Sequence, residues 1–421
     1  MTAKKYIYFD HSATTPLDRE VLKAMAPFWQ ADFGNPASLH LRGRQALEAV
    51  DIARERIAEF FNCQPGEIIF TSGATEANNL AIKGLVKNLR AQGWADPEII
   101  TSAIEHDSIL EPIRELEKEG VNAVFAPVNG NGIVDPAAIR AAINERTVLV
   151  SVMYVNSETG ALQPVREIGK LVRKAREKRH KLWLTRPLAD REKKERPLWF
   201  HTDATQAVNF FNCGAQGNFF DLLSFSGHKI YGPKGVGVLY KNAKVGLSAI
   251  QTGGHQEGNL RSGTLNVPGI VGLGAAIRLL GQAGKMGEPS REQKKNTLSV
   301  AKLRDLLVKG VLKSIPNVIL NTPLGQAAPG HAHFSFLGVE GESTLIALDL
   351  AGIGVSTGSA CASGSLTASH VLLAMGIKTE VAHNSVRFTI GKLNTREEIN
   401  KVLQVLPPII SRLRRMSPIK E

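Results

Sequence analysis

LLSFSGHKIYGPKGVGVLY, residues 222–240, is the stretch on which the fold turns. Leu222–Ser226 is a short apolar run of strand type, and Val236–Tyr240 is a second one. Between them lie Ser-Gly-His-Lys, ending at Lys229, and a Gly/Pro-rich turn. This spacing puts the Lys229 amine just past the carboxyl end of a strand, among residues small enough to leave room for a ligand. A lysine taken alone is most often a solvated surface charge. An amine in a pocket of this kind can have a lowered pKa and attack a carbonyl.

Strand and helix patterns alternate outward from this stretch. Upstream, the β-prone runs are Glu67–Phe70, Glu98–Thr101, Asn122–Ala126, Val148–Met153 and Leu198–His201. Helical patterns lie between them over Glu76–Gln92, Ser108–Glu119, Pro136–Ile143 and Val165–Arg176. Alternation at this spacing predicts an α/β fold with a mostly parallel sheet, and such sheets bind ligands at the carboxyl ends of their strands. The C-terminal part reads differently. A helix over Lys294–Lys313, a strand at His333–Phe336, a helix over Ser343–Leu350, a strand at Ser385–Thr389 and a helix over Arg396–Arg415 predict a smaller α+β domain. The expected division is a large domain over residues 14–264 and a small one over residues 1–13 and 265–421.

The chain has 421 residues, 43% of them hydrophobic, enough for two cores. Its polar N-terminus and the lack of a long apolar run predict a soluble, intracellular protein. The net charge is +12, and residues 176–197 hold nine Lys/Arg against four Asp/Glu. This segment reads as a solvated surface loop or hairpin, with docking of a partner or RNA as the sharper alternative. The three cysteines, Cys63, Cys213 and Cys361, cannot all pair and form no CxxC unit, so neither a disulfide framework nor a metal site is expected.

Four further stretches carry chemistry. HTDATQ, residues 201–206, ends a strand, so Asp203 reads either as a helix N-cap or as a carboxylate facing the crevice. TSGATEANN, residues 71–79, is a Gly turn opening a helix; its N–H groups with the Ser72 and Thr75 hydroxyls suit a phosphate. His106 follows a strand and reads as structural or as a ring stacked on a flat cofactor. Cys361 sits among Gly, Ser and Ala in VSTGSACASGSL, residues 355–366, a setting for a reactive thiol rather than a packed one. Cys63 and Cys213 lack such a setting and read as structural.

Taken in order, YFDHSATTP (8–16), FGNPAS (33–38), FTSGATEANNLAIKG (70–84), EH (105–106), VNSETG (155–160), HTDATQ (201–206), SFSGHKIYGPKG (224–235), RSGTLNVP (261–268), STGSACASGSL (356–366) and SVRFTIG (385–391) resemble the cysteine desulfurases. These are fold-type-I enzymes dependent on pyridoxal 5'-phosphate, of the class-V aminotransferase family. The resemblance runs nearly end to end, and the combination is specific where each piece alone is not.

The resemblance implies that Lys229 holds the cofactor as a Schiff base, that Asp203 pairs with its pyridinium nitrogen, and that His106 stacks on the ring and aids proton transfer. It implies phosphate ligands at Ala74, Thr75, Ser226 and His228, with Thr264 donated by the other subunit of a homodimer, and Gln206 near the phenolic oxygen. Asn156, Arg387 and Asn35 are implied in substrate binding, Asn156 also at the cofactor. Cys361 is implied as the nucleophile that takes sulfur from L-cysteine and hands it to an acceptor, an iron–sulfur scaffold or a tRNA-thiolation relay.

Two departures stand out. Residues 176–197 are longer than expected of the family at that point. The sequence closes on SRLRRMSPIKE, without the tail with which many relatives dock an iron–sulfur scaffold, so docking is in doubt or uses another surface. Other readings are a selenocysteine lyase, another lyase or aminotransferase of the same fold, and a basic RNA-associated protein on the same framework. Cys361 argues against an aminotransferase, and intact Lys229, Asp203 and Cys361 argue against the last. The expected workplace is the cytoplasm, without membrane contact or direct nucleic-acid binding.

Overall fold

The computed structural model of the chain describes residues 6–187, 195–281, 288–358 and 367–417. In chain order its strands are β1 (Ile7–Tyr8), β2 (Ile68–Thr71), β3 (Glu98–Ser102), β4 (Asn122–Ala126), β5 (Thr147–Ser151), β6 (Trp199–Asp203), β7 (Leu222–Ser226), β8 (Gly237–Lys241), β9 (Val318–Leu320), β10 (His331–Phe336), β11 (Ile353–Gly354) and β12 (Ser385–Thr389).

Seven of them form one sheet in the order β2-β8-β7-β6-β5-β3-β4. Its pairs are parallel except where β8 meets β2 and β7. The expected mostly parallel sheet is therefore present. Side-chain alternation sends the two faces of each strand into different cores. From β7 and β8, Leu223, Phe225, Val238 and Tyr240 enter the core under helices Leu41–Phe61 and Val267–Leu279. Leu222 and Leu239 enter the core under helices Ala74–Ala91 and Asp107–Lys118. Each fully buried Leu, Ile or Phe of this kind contributes about 1.5–3 kcal/mol, so two covered faces hold the sheet firmly.

The second body is α+β, as expected. β12, β10 and β9 form an antiparallel sheet, and β1 pairs in parallel with β11. Its core joins Ile7 and Phe9 to Phe334, Phe336 and Phe388 and to helices Arg291–Ser314 and Arg396–Met416. The N-terminal residues thus belong with the C-terminal core.

The packing moves one expected boundary. Helix Val267–Leu279 lies beyond residue 264, yet Val267, Ile270, Leu273 and Ile277 pack in the large core. Gly274 fits closely on Ala53, where a Cβ would lie 2.8 Å from the Ala53 Cβ. The small core takes over only at Val300.

Residues 176–197 also differ from the loop or hairpin expected. The helix begun at Val165 continues to Leu184. Past Gly169 there is no Gly or Pro before Pro187. Arg176 pairs with Asp221 and donates to the Leu198 carbonyl, and Arg179 donates to the carbonyls of Asn144 (2.8 Å) and Thr147 (3.0 Å). Residues 176–184 are therefore helix tied to the sheet; residues 188–194 lie outside the described residues. Among the described residues, no helix is long and apolar enough to cross a membrane.

Candidate active site

The carboxyl ends of β2, β3, β5, β6 and β7 open into one cavity of about 860 Å³. Its lining includes Thr75, His106, Asp203, Gln206, Ser226, His228 and Lys229 from the large body, and Arg387 from β12. Residues separated by up to 312 positions meet there because each lies on a strand or just beyond one.

Lys229 stands at the end of a short turn, Gly227–Lys229, after β7. Its Nζ donates to the carbonyls of Ser12 (2.5 Å) and Ala13 (2.6 Å), and its own carbonyl accepts from Asn209 (2.6 Å). Two residues on, Tyr231 has φ +62°, a left-handed backbone that costs a bulky residue about 1–2 kcal/mol. It is held there from both bodies: its N–H donates to Thr15 Oγ1 (2.8 Å), and its hydroxyl accepts from the Lys392 N–H (2.8 Å). The lysine turn is thus fixed at both ends.

Asp203, at the end of β6, is buried. One carboxylate oxygen accepts from Asn78 Nδ2 (2.8 Å) and the other from the Thr205 N–H (2.9 Å). The local turn contact shares the character of the N-cap alternative, yet the carboxylate also lines the cavity. Asn78 is a positioning residue missed in the sequence; a buried Asn one turn into the helix of TSGATEANN was the available signal. His106 combines both readings as well. It caps helix Asp107–Lys118, its Nδ1 accepting from the Ser108 N–H at 3.1 Å, and its ring faces the cavity. The preceding Glu105 is enclosed; it accepts from Ser102 Oγ (2.5 Å) and the Met153 N–H (2.9 Å), and burial raises its pKa to about 8.

The end of the cavity near β2 suits a phosphate. Helix Ala74–Ala91 starts there without a side-chain cap, leaving its first N–H groups to the cavity. Ser226 and His228 complete this end. Burial, with Lys229 and Lys234 nearby, lowers the His228 pKa to about 4, so its ring is neutral. β8 approaches so closely that a Cβ on Gly237 would lie 2.6 Å from the Gly73 Cα. Only glycine allows that contact.

Arg387 lines the cavity from β12. Its Nη2 pairs with Asp10 (2.9 Å) and its Nη1 donates to the Ser157 carbonyl (3.0 Å).

The structure does not bring together every expected site residue. Asn156 is fully buried behind the lining: its Nδ2 donates to the Ile104 carbonyl, and its Oδ1 accepts from the N–H groups of Glu158 and Thr159 (3.0 Å each). It therefore shapes the 156–160 turn instead of touching the cavity. Asn35 is exposed and accepts from the Ala37 N–H, apart from the lining residues. Thr264 is exposed and also apart from them. Cys361 lies outside the described residues. Cys63 and Cys213 are unpaired thiols whose pKa values burial raises, Cys63 to about 12, which fits a structural role.

A sheet that offers a lysine, a carboxylate and an uncapped helix to one cavity is the architecture of α/β enzymes that bind a flat, phosphorylated cofactor at their strand ends. A model of the aminotransferase class-V family matches residues 7–178 and 187–402, and the chain belongs to that family. The unmatched residues between fall at the end of helix Val165–Leu184. The chain is 43% identical to cysteine desulfurase IscS of Dictyoglomus turgidum, with 99% of this chain and 98% of that protein covered. Among solved structures, a NifS-like protein matches with TM-score 0.84 and 33% identity over 97% of this chain and all of its own. SspA, solved in complex with cysteine, matches with TM-score 0.75 and 31% identity over 92% of this chain and 100% of its own.

Pyridoxal phosphate is the cofactor of this family, and the residues present fit it. The amine, the fixed carboxylate and the phosphate-type end share one cavity. Thr205 Oγ1, which the sequence reading passed over, is a buried hydroxyl of the lining without a hydrogen-bond partner in the structure.

Proposed function

We infer that this chain is a pyridoxal-phosphate-dependent cysteine desulfurase, converting L-cysteine to L-alanine and leaving the sulfur as a persulfide on Cys361. The observation that carries the reading is that Lys229 from the sheet and Arg387 from the second body line one cavity. An amine for the cofactor and a cation for the substrate carboxylate are thereby brought to one cavity.

Bound pyridoxal phosphate supplies an electron sink that lets the amino acid's α-carbon lose its proton. Lys229 would hold the aldehyde carbon, and its amine would be placed to move a proton at the substrate α-carbon. Asp203, oriented by Asn78, would keep the pyridine nitrogen protonated. His106 would cover the ring, and Gln206, which donates to the Ser12 carbonyl (3.0 Å), would stand near the phenolic oxygen. Ala74, Thr75, Ser226 and His228 would bind the phosphate. Thr264 would reach it from a second copy in a homodimer, a role that suits its exposure in the single chain. Arg387 would bind the substrate carboxylate by charge-assisted hydrogen bonds.

The Cys361 thiolate attacks the substrate sulfur. The carbon–sulfur bond breaks, its electron pair stays with carbon, and protonation gives alanine. The sulfur then passes to an acceptor, an iron–sulfur scaffold or a tRNA-thiolation relay, in a reducing cytoplasm where thiols persist.

The test is Cys361→Ala in protein loaded with pyridoxal phosphate. Absorbance at roughly 390–420 nm is expected to remain, while sulfide and alanine production from cysteine is lost. Normal turnover in that variant would overturn the assignment.

A further inference from the structure

Glu158 has no part in the reading above, yet it sits where two distant stretches of chain meet. It is buried in the cavity wall, and its N–H is held by Asn156 Oδ1 at 3.0 Å. Its carboxyl accepts from Ser369 Oγ at 2.5 Å. Ser369 in turn caps helix His370–Ala374, accepting from the Leu372 N–H at 3.2 Å. The same carboxyl oxygen presses on Gly358: a Cβ there would lie 2.4 Å from Glu158 Oε2 and 3.1 Å from His333 Nε2. Gly358 is itself carried by a short bridge, in which Ser356 and Arg387 exchange N–H to carbonyl bonds (2.6 and 3.2 Å). One carboxyl group therefore contacts the last described residue before 359–366 and a residue just after that stretch, beside Arg387.

We propose that Glu158 is a positioning residue for sulfur transfer: by joining Gly358 and Ser369 it fixes the chain on either side of the stretch that carries Cys361. This rests on the desulfurase reading and names a further residue on which that reaction depends. The chemistry suits the task. Burial raises the Glu158 pKa. Its carboxyl oxygen lies against Gly358 and accepts from Ser369. What matters is then its shape and hydrogen bonding, which glutamine shares and alanine lacks.

The experiment uses the full chain loaded with pyridoxal phosphate. Cofactor absorbance is read first. The single-turnover rate of Cys361 persulfide formation from L-cysteine is then followed by mass spectrometry. Glu158→Ala is expected to keep the absorbance and slow persulfide formation about tenfold or more, the loss of roughly one hydrogen bond's contribution to positioning. Glu158→Gln is expected to restore the rate to within about threefold of the parent. Gly358→Ala is expected to be slow and to regain rate when Glu158→Ala is added, because the new methyl then has room. This is non-additivity of a kind that only touching residues show.

A parent-like rate in Glu158→Ala overturns the proposal. So does a loss of absorbance that parallels the loss of rate, or a double variant no faster than Gly358→Ala alone. If the parent itself forms no persulfide on Cys361, it is the desulfurase reading that fails.

Discussion

The wall that carries Lys229 and the wall that carries Arg387 treat buried polarity differently. On the first, Asp203 has a partner for each oxygen, the Lys229 amine lies on two carbonyls, and Tyr231 ties the turn to both bodies. On the second, Arg387 Nε and the Nε2 of His333 are buried without a hydrogen-bond partner among the described residues. Burial first, then Arg387, lowers the pKa of His331 and of His333 to about 3. A wall whose amine and carboxylate are both held in place is pre-organised, as cofactor chemistry needs. Buried groups without partners cost stability.

The largest expected effect breaks the paired wall. Lys229→Ala should abolish both the absorbance at roughly 390–420 nm and turnover; an unchanged spectrum would refute the lysine's role. On the other wall, Arg387→Lys should keep the absorbance but raise KM for cysteine about tenfold to a hundredfold, because a point charge replaces a two-pronged donor. Steady-state kinetics beside the spectrum separate the two walls, and an equal loss of absorbance in both variants would erase the contrast.

A smaller effect concerns acid. His331 and His333 stay neutral in the fold to about pH 3, whereas an unfolded histidine protonates near 6.5. The unfolded chain therefore takes up protons first as pH falls. The stability these residues contribute is whole above about 6.5 and is lost toward 3. His333→Gln should reduce the fall in Tm between pH 7.5 and 5 by a few degrees; an identical pH slope would count against the buried neutral ring. Smallest of all, removal of residues 180–195 should leave turnover within about twofold of the parent. Arg179 and Arg196 must be kept, since Arg179 ties the helix end to Asn144 and Thr147. A large loss of turnover would show that this region supports the sheet side of the cavity.

Much of the first wall was legible in the sequence, because a strand, a small-residue turn and a functional group are adjacent in the chain. SFSGHK, HTDATQ and TSGATEANN each state their own local geometry. Less of the second wall was. Arg387 could be picked from SVRFTIG, but its partners Asp10 and Ser157 are 377 and 230 residues away. Glu158 looked like any loop acid, and Asn156, in the same motif, proved to hold the turn from behind. Helix Val267–Leu279 is apolar on nearly all sides, so its pattern could not say which core it would join.

The sequence by itself determined the alternation of elements, the sheet, and the residue types at its strand ends, since hydrophobic period and turn chemistry act over a few residues. Only the tertiary structure decided which body holds helix Val267–Leu279, how far helix Val165–Leu184 runs, and which polar groups have partners. Those outcomes depend on packing between segments hundreds of residues apart, and no local pattern records it.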